Sequence, residues 1–216
     1  MDLETPGRAA GEELARAHAA RETALRACRA TIQAAGRSIR ATHRGEAEVA
    51  ADVAGEARRA LEEAQAVLGD FPAVAGAGFI HDAEKEYAEA VLFCALAAGG
   101  DPPGHREVGV GPAAWLNGLA EAASELRRHT LDRLRGGDLQ RAEEALATMD
   151  EVYAVLVTVD FPDAVTGGLR RTTDALRAVL ERTRSDLTTT AMQVRLQASI
   201  DRALDATGPG TPPRPR

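Results

Sequence analysis

Two glutamate pairs carry the most chemistry in this chain. Glu86 and Glu89 stand three residues apart in His81-Asp82-Ala83-Glu84-Lys85-Glu86-Tyr87-Ala88-Glu89, and Glu121 and Glu125 stand four apart. On helices both spacings put the paired carboxylates on one face. Glu89 is the only charged residue between Tyr87 and Ala98, and Phe93 with Leu96 or Ala97 continues its stripe, so its carboxylate adjoins an apolar face. A carboxylate there is costly unless it takes up a proton or a cation, and either a metal ion or one of the many arginines meets that need. The like-charged Glu121–Glu125 pair costs its helix ~0.2–0.5 kcal/mol. Arg128, three residues after Glu125, can quench one of the two as an ordinary surface pair. Four carboxylates converging at ~4 Å would repel by about 4 kcal/mol per pair at a surface-like dielectric. A hard divalent cation removes that repulsion, and oxygen-only ligation without histidine favours Mg²⁺ or Mn²⁺. Such an ion activates water and stabilises charge on a phosphodiester.

An arginine stripe is the second feature. Arg26, Arg29, Gln33, Arg37, Arg40 and Arg44 share one helical face, a rail about 27 Å long at ~1.5 Å per residue. Between Arg21 and Arg44 there are six arginines and one acid, Glu22, a local charge of +5 in a chain of net charge −7. A solvated helix face accounts for most such runs. Here the interleaved acids of an exposed helix are missing, which favours phosphate binding. A basic rail beside an acidic metal cluster is what a nuclease needs.

Helices must position these residues. The chain is rich in Ala, Leu, Glu and Arg, the vocabulary of helices. Prolines and glycines divide it into six long segments: about Gly11–Arg44, Glu46–Leu68, Gly78–Ala98, Ala113–Arg135, Asp138–Val159 and Gly167–Ala206. Leu25, Cys28, Ile32, Ala35 and Ile39 form an apolar stripe in the first, and Val49, Val53, Ala57, Leu61, Ala64 and Leu68 form one in the second. Val152–Val159 has strand propensity, but one strand makes no sheet, so it is read as helix. The expected architecture is a single-domain, all-α bundle of long helices, six to seven in number. Residues 1–10 are expected to be a flexible N-terminus, 11–206 the helical domain and 207–216 a disordered Pro/Gly-rich tail.

Composition removes several alternatives. Seven aromatic residues in 216 are too few for stacking platforms of the RRM or OB type. Cys28 and Cys94 lie in apolar surroundings and form no CxxC, so neither a disulfide framework nor a structural zinc is indicated. No run of about 18 apolar residues is present, so no membrane span is expected and the chain reads as cytoplasmic. Val157-Thr158-Val159-Asp160-Phe161-Pro162-Asp163 lacks the aspartate spacing and the parallel sheet of a haloacid dehalogenase-type phosphatase.

Phe71-Pro72, the stretch Ala77–Ala90 with its Lys-Glu-Tyr-Ala-Glu-Ala core, Arg21–Arg26, Ile39–Gly45, Trp115–Arg128 and Leu169–Leu187 together resemble the translin/Trax family, particularly its prokaryotic members. The resemblance implies an all-α protomer of about seven helices and a hollow homo-oligomer, an octamer, enclosing RNA. Trax-type subunits are Mg²⁺-dependent endoribonucleases acting on short single-stranded RNA, and translin-type subunits bind single-stranded RNA or DNA without cleaving it. The Trax catalytic pairs E-x-x-E and D-x-x-x-E fall on Glu86 with Glu89 and on Glu121 with Glu125. Glutamate replaces aspartate at position 121. By this resemblance Glu86, Glu89, Glu121 and Glu125 hold Mg²⁺ or Mn²⁺, and the arginine stripe read above, Arg26, Arg29, Arg37, Arg40 and Arg44, is expected to contact RNA phosphates. Retention of both residues of the first pair favours the nuclease, and the change at 121 favours the binding-only protein.

Overall fold

Alanine spacing sets how closely the longest helix packs. A computed structural model describes residues 1–206, and the tail expected over 207–216 lies outside the described residues. Helix α1 (Glu4–His43) begins at Glu4, seven residues before the sequence pattern placed it. Its buried line is Ala20, Ala24, Ala27, Cys28, Thr31, Ala34, Ala35, Ser38 and Ala41, while Leu25, Ile32 and Ile39 of the expected stripe are only half-buried. The reason is geometric: α1 lies against two helices at once, so small residues occupy the contact line and bulky ones flank it. Helix α2 (Ala47–Leu68) returns antiparallel after Gly45, whose φ of 75° ends α1. Ala50, Ala57, Leu61, Ala64 and Leu68 of α2 are buried, whereas Val49 is exposed. The Ser38 hydroxyl donates to the Ala50 carbonyl at 2.8 Å and ties the two helices together.

A one-turn helix, α3 (Pro72–Ala75), leads into α4 (Phe79–Ala97), the central helix, which packs on α1, α2 and α6. After one-turn α5 (His105–Val108) comes α6 (Pro112–Arg135), which starts with proline at its first position, where the absent N–H costs nothing. Helix α7 (Leu139–Leu156) is capped by Asp138, which accepts from the Arg141 amide, and it runs through most of the segment with strand propensity. One-turn α8 (Asp163–Thr166) precedes the long α9 (Leu169–Ala206). The six long helices agree with the all-α reading, and no strand occurs among the described residues. Phe93, Leu61, Leu92, Leu126, Met149 and Leu180 fill the core.

Asn117 secures the second half of the bundle. Its amide donates to the Thr166 carbonyl at 2.7 Å and its carbonyl oxygen accepts from the Thr172 hydroxyl at 2.7 Å, which joins α6 to α8 and α9. Arg127 adds bonds to Asp186 and Thr183 further along α9. Beyond Ala191 the described part of α9 through Asp205 is exposed, including Met192, Leu196 and Ile200. No helix among the described residues is long and apolar enough to cross a membrane.

Candidate functional site

The glutamates converge because α4 and α6 touch backbone to backbone. At Gly118 a Cβ would lie 2.9 Å from each of the Ala88 Cβ, the Glu89 amide nitrogen and the Lys85 carbonyl oxygen. Only glycine admits that approach. One turn beyond it, Glu121 reaches α4, and one carboxylate oxygen from each of Glu86, Glu89 and Glu121 lies within 4.8 Å of the other two.

Glu89 is the innermost member, 8% exposed, and among the described residues no hydrogen bond or ion pair satisfies its carboxylate. Burial pushes its pKa up to about 8, and the neighbouring charges of Glu121, Glu86 and Glu125 push in the same direction. Lys85 opposes them. Its ammonium lies 2.8 Å from Glu121 Oε1 and 3.3 Å from Glu86 Oε1. Burial lowers the pKa of that ammonium, but the hydrogen bond and charge of Glu121, with the charge of Glu86, outweigh it and leave it above its ordinary value.

Glu125 stands outside this cluster, one turn along α6. Its Oε2 lies 2.6 Å from Nε2 of His43, whose side chain is 3% exposed. The ring of His43 packs against Phe93 with centroids 4.7 Å apart. The last turn of α1 therefore reaches into the site. A cavity of about 310 Å³ opens beside His43, lined by Thr42, Arg44, His129, Asp132 and Arg133.

The arginine stripe is exposed along its whole length. At about 100° per residue it lies roughly 80° around α1 from His43, whose ring faces Glu125. Its members differ in their partners. Arg37 is paired with Glu56, and Arg44 grips Glu46 through Nε at 2.8 Å and a terminal nitrogen at 2.6 Å. Arg26 donates to the Thr23 hydroxyl at 3.1 Å, while Arg29 and Arg40 have no acidic partner among the described residues.

Three residues of this site were not singled out by spacing: Gly118, Lys85 and His43. Lys85 did carry a signal, as the one lysine in the chain. Gly118 and His43 lie within stretches that resemble the family, but nothing in the spacing marked them, because their importance lies in contacts between helices.

The donor set suits a hard divalent cation. It is all carboxylate oxygen, and among the described residues its buried member has no direct hydrogen-bond or ion-pair partner. Fold and site together define an all-helical bundle with a carboxylate cluster at the crossing of two helices, beside an arginine-lined third. The chain belongs to the translin/Trax family. It is 34% identical to AfC3PO as solved in a complex with duplex RNA, with a TM-score of 0.78 over 88% of this chain and 96% of that one. A second AfC3PO crystal structure matches at 33% identity and a TM-score of 0.77, covering 88% and 97% of the two chains. Apo-NeC3PO shares the fold at a TM-score of 0.78 with 17% identity, covering 88% and 98%. The uncharacterized protein MJ0175 of Methanocaldococcus jannaschii is 26% identical over 136 residues, so the match spans 62% of this chain and 60% of that protein. No protein-family model matches the sequence.

Proposed function

We propose that this protein is a Mg²⁺-dependent endoribonuclease that cuts short single-stranded RNA within a homo-oligomer of the translin/Trax type. The observation that carries the reading is the buried carboxylate of Glu89, without a hydrogen-bond or ion-pair partner among the described residues and held within 4.8 Å of Glu86 and Glu121. RNA as the ligand is supported by AfC3PO, whose structure is a complex with duplex RNA. The exposed stripe Met192, Leu196 and Ile200 on α9 supplies apolar surface for contacts between subunits. An octamer is the expected size.

Glu86, Glu89 and Glu121 would hold the ion, with Glu125 oriented beside them by His43. A bound Mg²⁺ supplies polarisation of the phosphodiester and a more acidic water. The protein contributes position. Gly118 sets the separation of α4 and α6, and Glu89 carries a proton at Oε near neutral pH that leaves when a cation arrives. Arg29 and Arg40, lacking acidic partners, are available to phosphates, and Arg26, Arg37 and Arg44 extend the track. Phosphate contacts give affinity without base selection, so little sequence preference is expected.

A binding-only protein, holding single-stranded RNA or DNA without cleaving it, is the second reading. It draws on the bonds that already occupy Glu121 and Glu125, from Lys85 and His43. Incubating end-labelled RNA with the purified protein in Mg²⁺ or EDTA, beside Glu89→Ala, separates the two. Products that need Mg²⁺ and vanish in the variant establish the nuclease. RNA retained intact establishes the binder.

A further inference from the structure

A chain with a single lysine among its 26 lysine and arginine residues has placed that lysine against the carboxylate cluster. The choice has a physical consequence. A guanidinium is a rigid planar fork that clamps a carboxylate through two bonds, whereas an ammonium is a compact, strongly hydrated point charge on a flexible stem. Of the two, the ammonium more closely imitates a hard metal ion and more easily withdraws. Lys85 Nζ bonds Oε1 of Glu121 at 2.8 Å and Oε1 of Glu86 at 3.3 Å. These are two of the three carboxylates whose oxygens lie within 4.8 Å of one another. The third, Glu89, is buried and has no cation paired with it among the described residues. The side chain of Lys85 is 20% exposed, so it is not sealed inside the core.

Resting on the metal-site reading above, we propose that Lys85 is a resident counter-cation that a divalent ion must displace from Glu121 and Glu86. The lysine holds the cluster together without metal and sets its affinity by competing for the same oxygens. Removing it therefore strengthens metal binding, the opposite of what damage to a site does. The freed carboxylates gain an ion where they had a lysine, and a unit charge a few ångströms away no longer repels that ion.

The solitary lysine makes the displacement visible in the unaltered protein. In full-length protein labelled with ¹³C,¹⁵N-lysine, the Lys85 side-chain resonances are expected to shift saturably as MgCl₂ is added. Calorimetric titration with Mn²⁺ is expected to show Lys85→Met binding about tenfold more tightly than wild type, and Lys85→Arg no more tightly than wild type. Lysine resonances that stay fixed while metal binds would overturn the proposal. So would a folded Lys85→Met protein that binds Mn²⁺ no more tightly than wild type. Should Lys85→Met fail to fold, the resonance measurement on wild type decides alone. If neither Mn²⁺ nor Mg²⁺ binds wild type or either variant, the metal-site reading itself fails, and the competition falls with it.

Discussion

The α-carbon of Gly118 on α6 lies so near Glu89 on α4 that a Cβ at position 118 would be 2.9 Å from the Glu89 amide nitrogen. The other two atoms such a Cβ would meet, the Ala88 Cβ and the Lys85 carbonyl, belong to the same turn of α4. The contact therefore fixes the spacing of the two helices that carry the carboxylates.

Gly118→Ala consequently tests the site through its scaffold. In a free helix the change would stabilise by up to about 1 kcal/mol. Here two backbone atoms must yield, and overpacking of this kind costs roughly 1–3 kcal/mol. The expected outcome is a lower Tm in thermal melts and weaker Mn²⁺ uptake, with Gly118→Val worse on both counts. A more stable Gly118→Ala protein would show that the helices separate freely.

Glu89 makes stability depend on pH with a definite sign. Its folded pKa of about 8 exceeds the ordinary 4.5, so between those values the folded chain holds a proton that the unfolded chain has lost. Metal-free stability therefore falls as pH rises from about 4.5 to about 8, then levels. Glu89→Gln, which cannot ionise, is expected to flatten that slope in urea denaturation measured at several pH values. The same titration predicts release of about one proton on metal uptake near pH 7, fading above pH 9. Calorimetry in buffers of different ionisation enthalpy measures it.

The arginine stripe predicts a graded effect on RNA binding. Each phosphate contact removed should lower the salt slope by about 0.7 on a single strand. Arg29→Ala and Arg40→Ala are expected to show that full loss, because neither residue has an acidic partner among the described residues. Arg37→Ala and Arg44→Ala are expected to lose less, since glutamates already hold both side chains. Fluorescence anisotropy across a range of KCl concentrations reads the slopes. Equal effects at all four positions would mean that RNA displaces the glutamates.

His43 links α1 to the site through its 2.6 Å contact with Glu125. His43→Ala removes that partner and the packing on Phe93, and freeing Glu125 beside the cluster is expected to weaken Mn²⁺ binding. His43→Gln, which can still bond to Glu125, is expected to recover part of it. Mn²⁺ titration of both variants, with circular dichroism to verify folding, distinguishes orientation of Glu125 from simple packing.

What the sequence determined by itself was local. Composition and proline placement specify long helices, and three- and four-residue spacings place Glu86 with Glu89, and Glu121 with Glu125, on common faces of α4 and α6. Apolar periodicity found most of the buried side of α2, Val49 excepted, and on α1 found Cys28 and Ala35 but put Leu25, Ile32 and Ile39, which are only half-buried, on the same line. Which residues form that line depends on two neighbouring helices, which periodicity within one helix does not encode. The same holds for the site. The tertiary structure decided that Glu121 joins Glu86 and Glu89 while Glu125 turns to His43, and that Lys85 lies among the carboxylates. It also decided which arginines stand without acids. A helix specifies its own faces by its 3.6-residue turn, whereas the crossing point of two helices depends on where their smallest residues meet, here at Gly118 and Ala88.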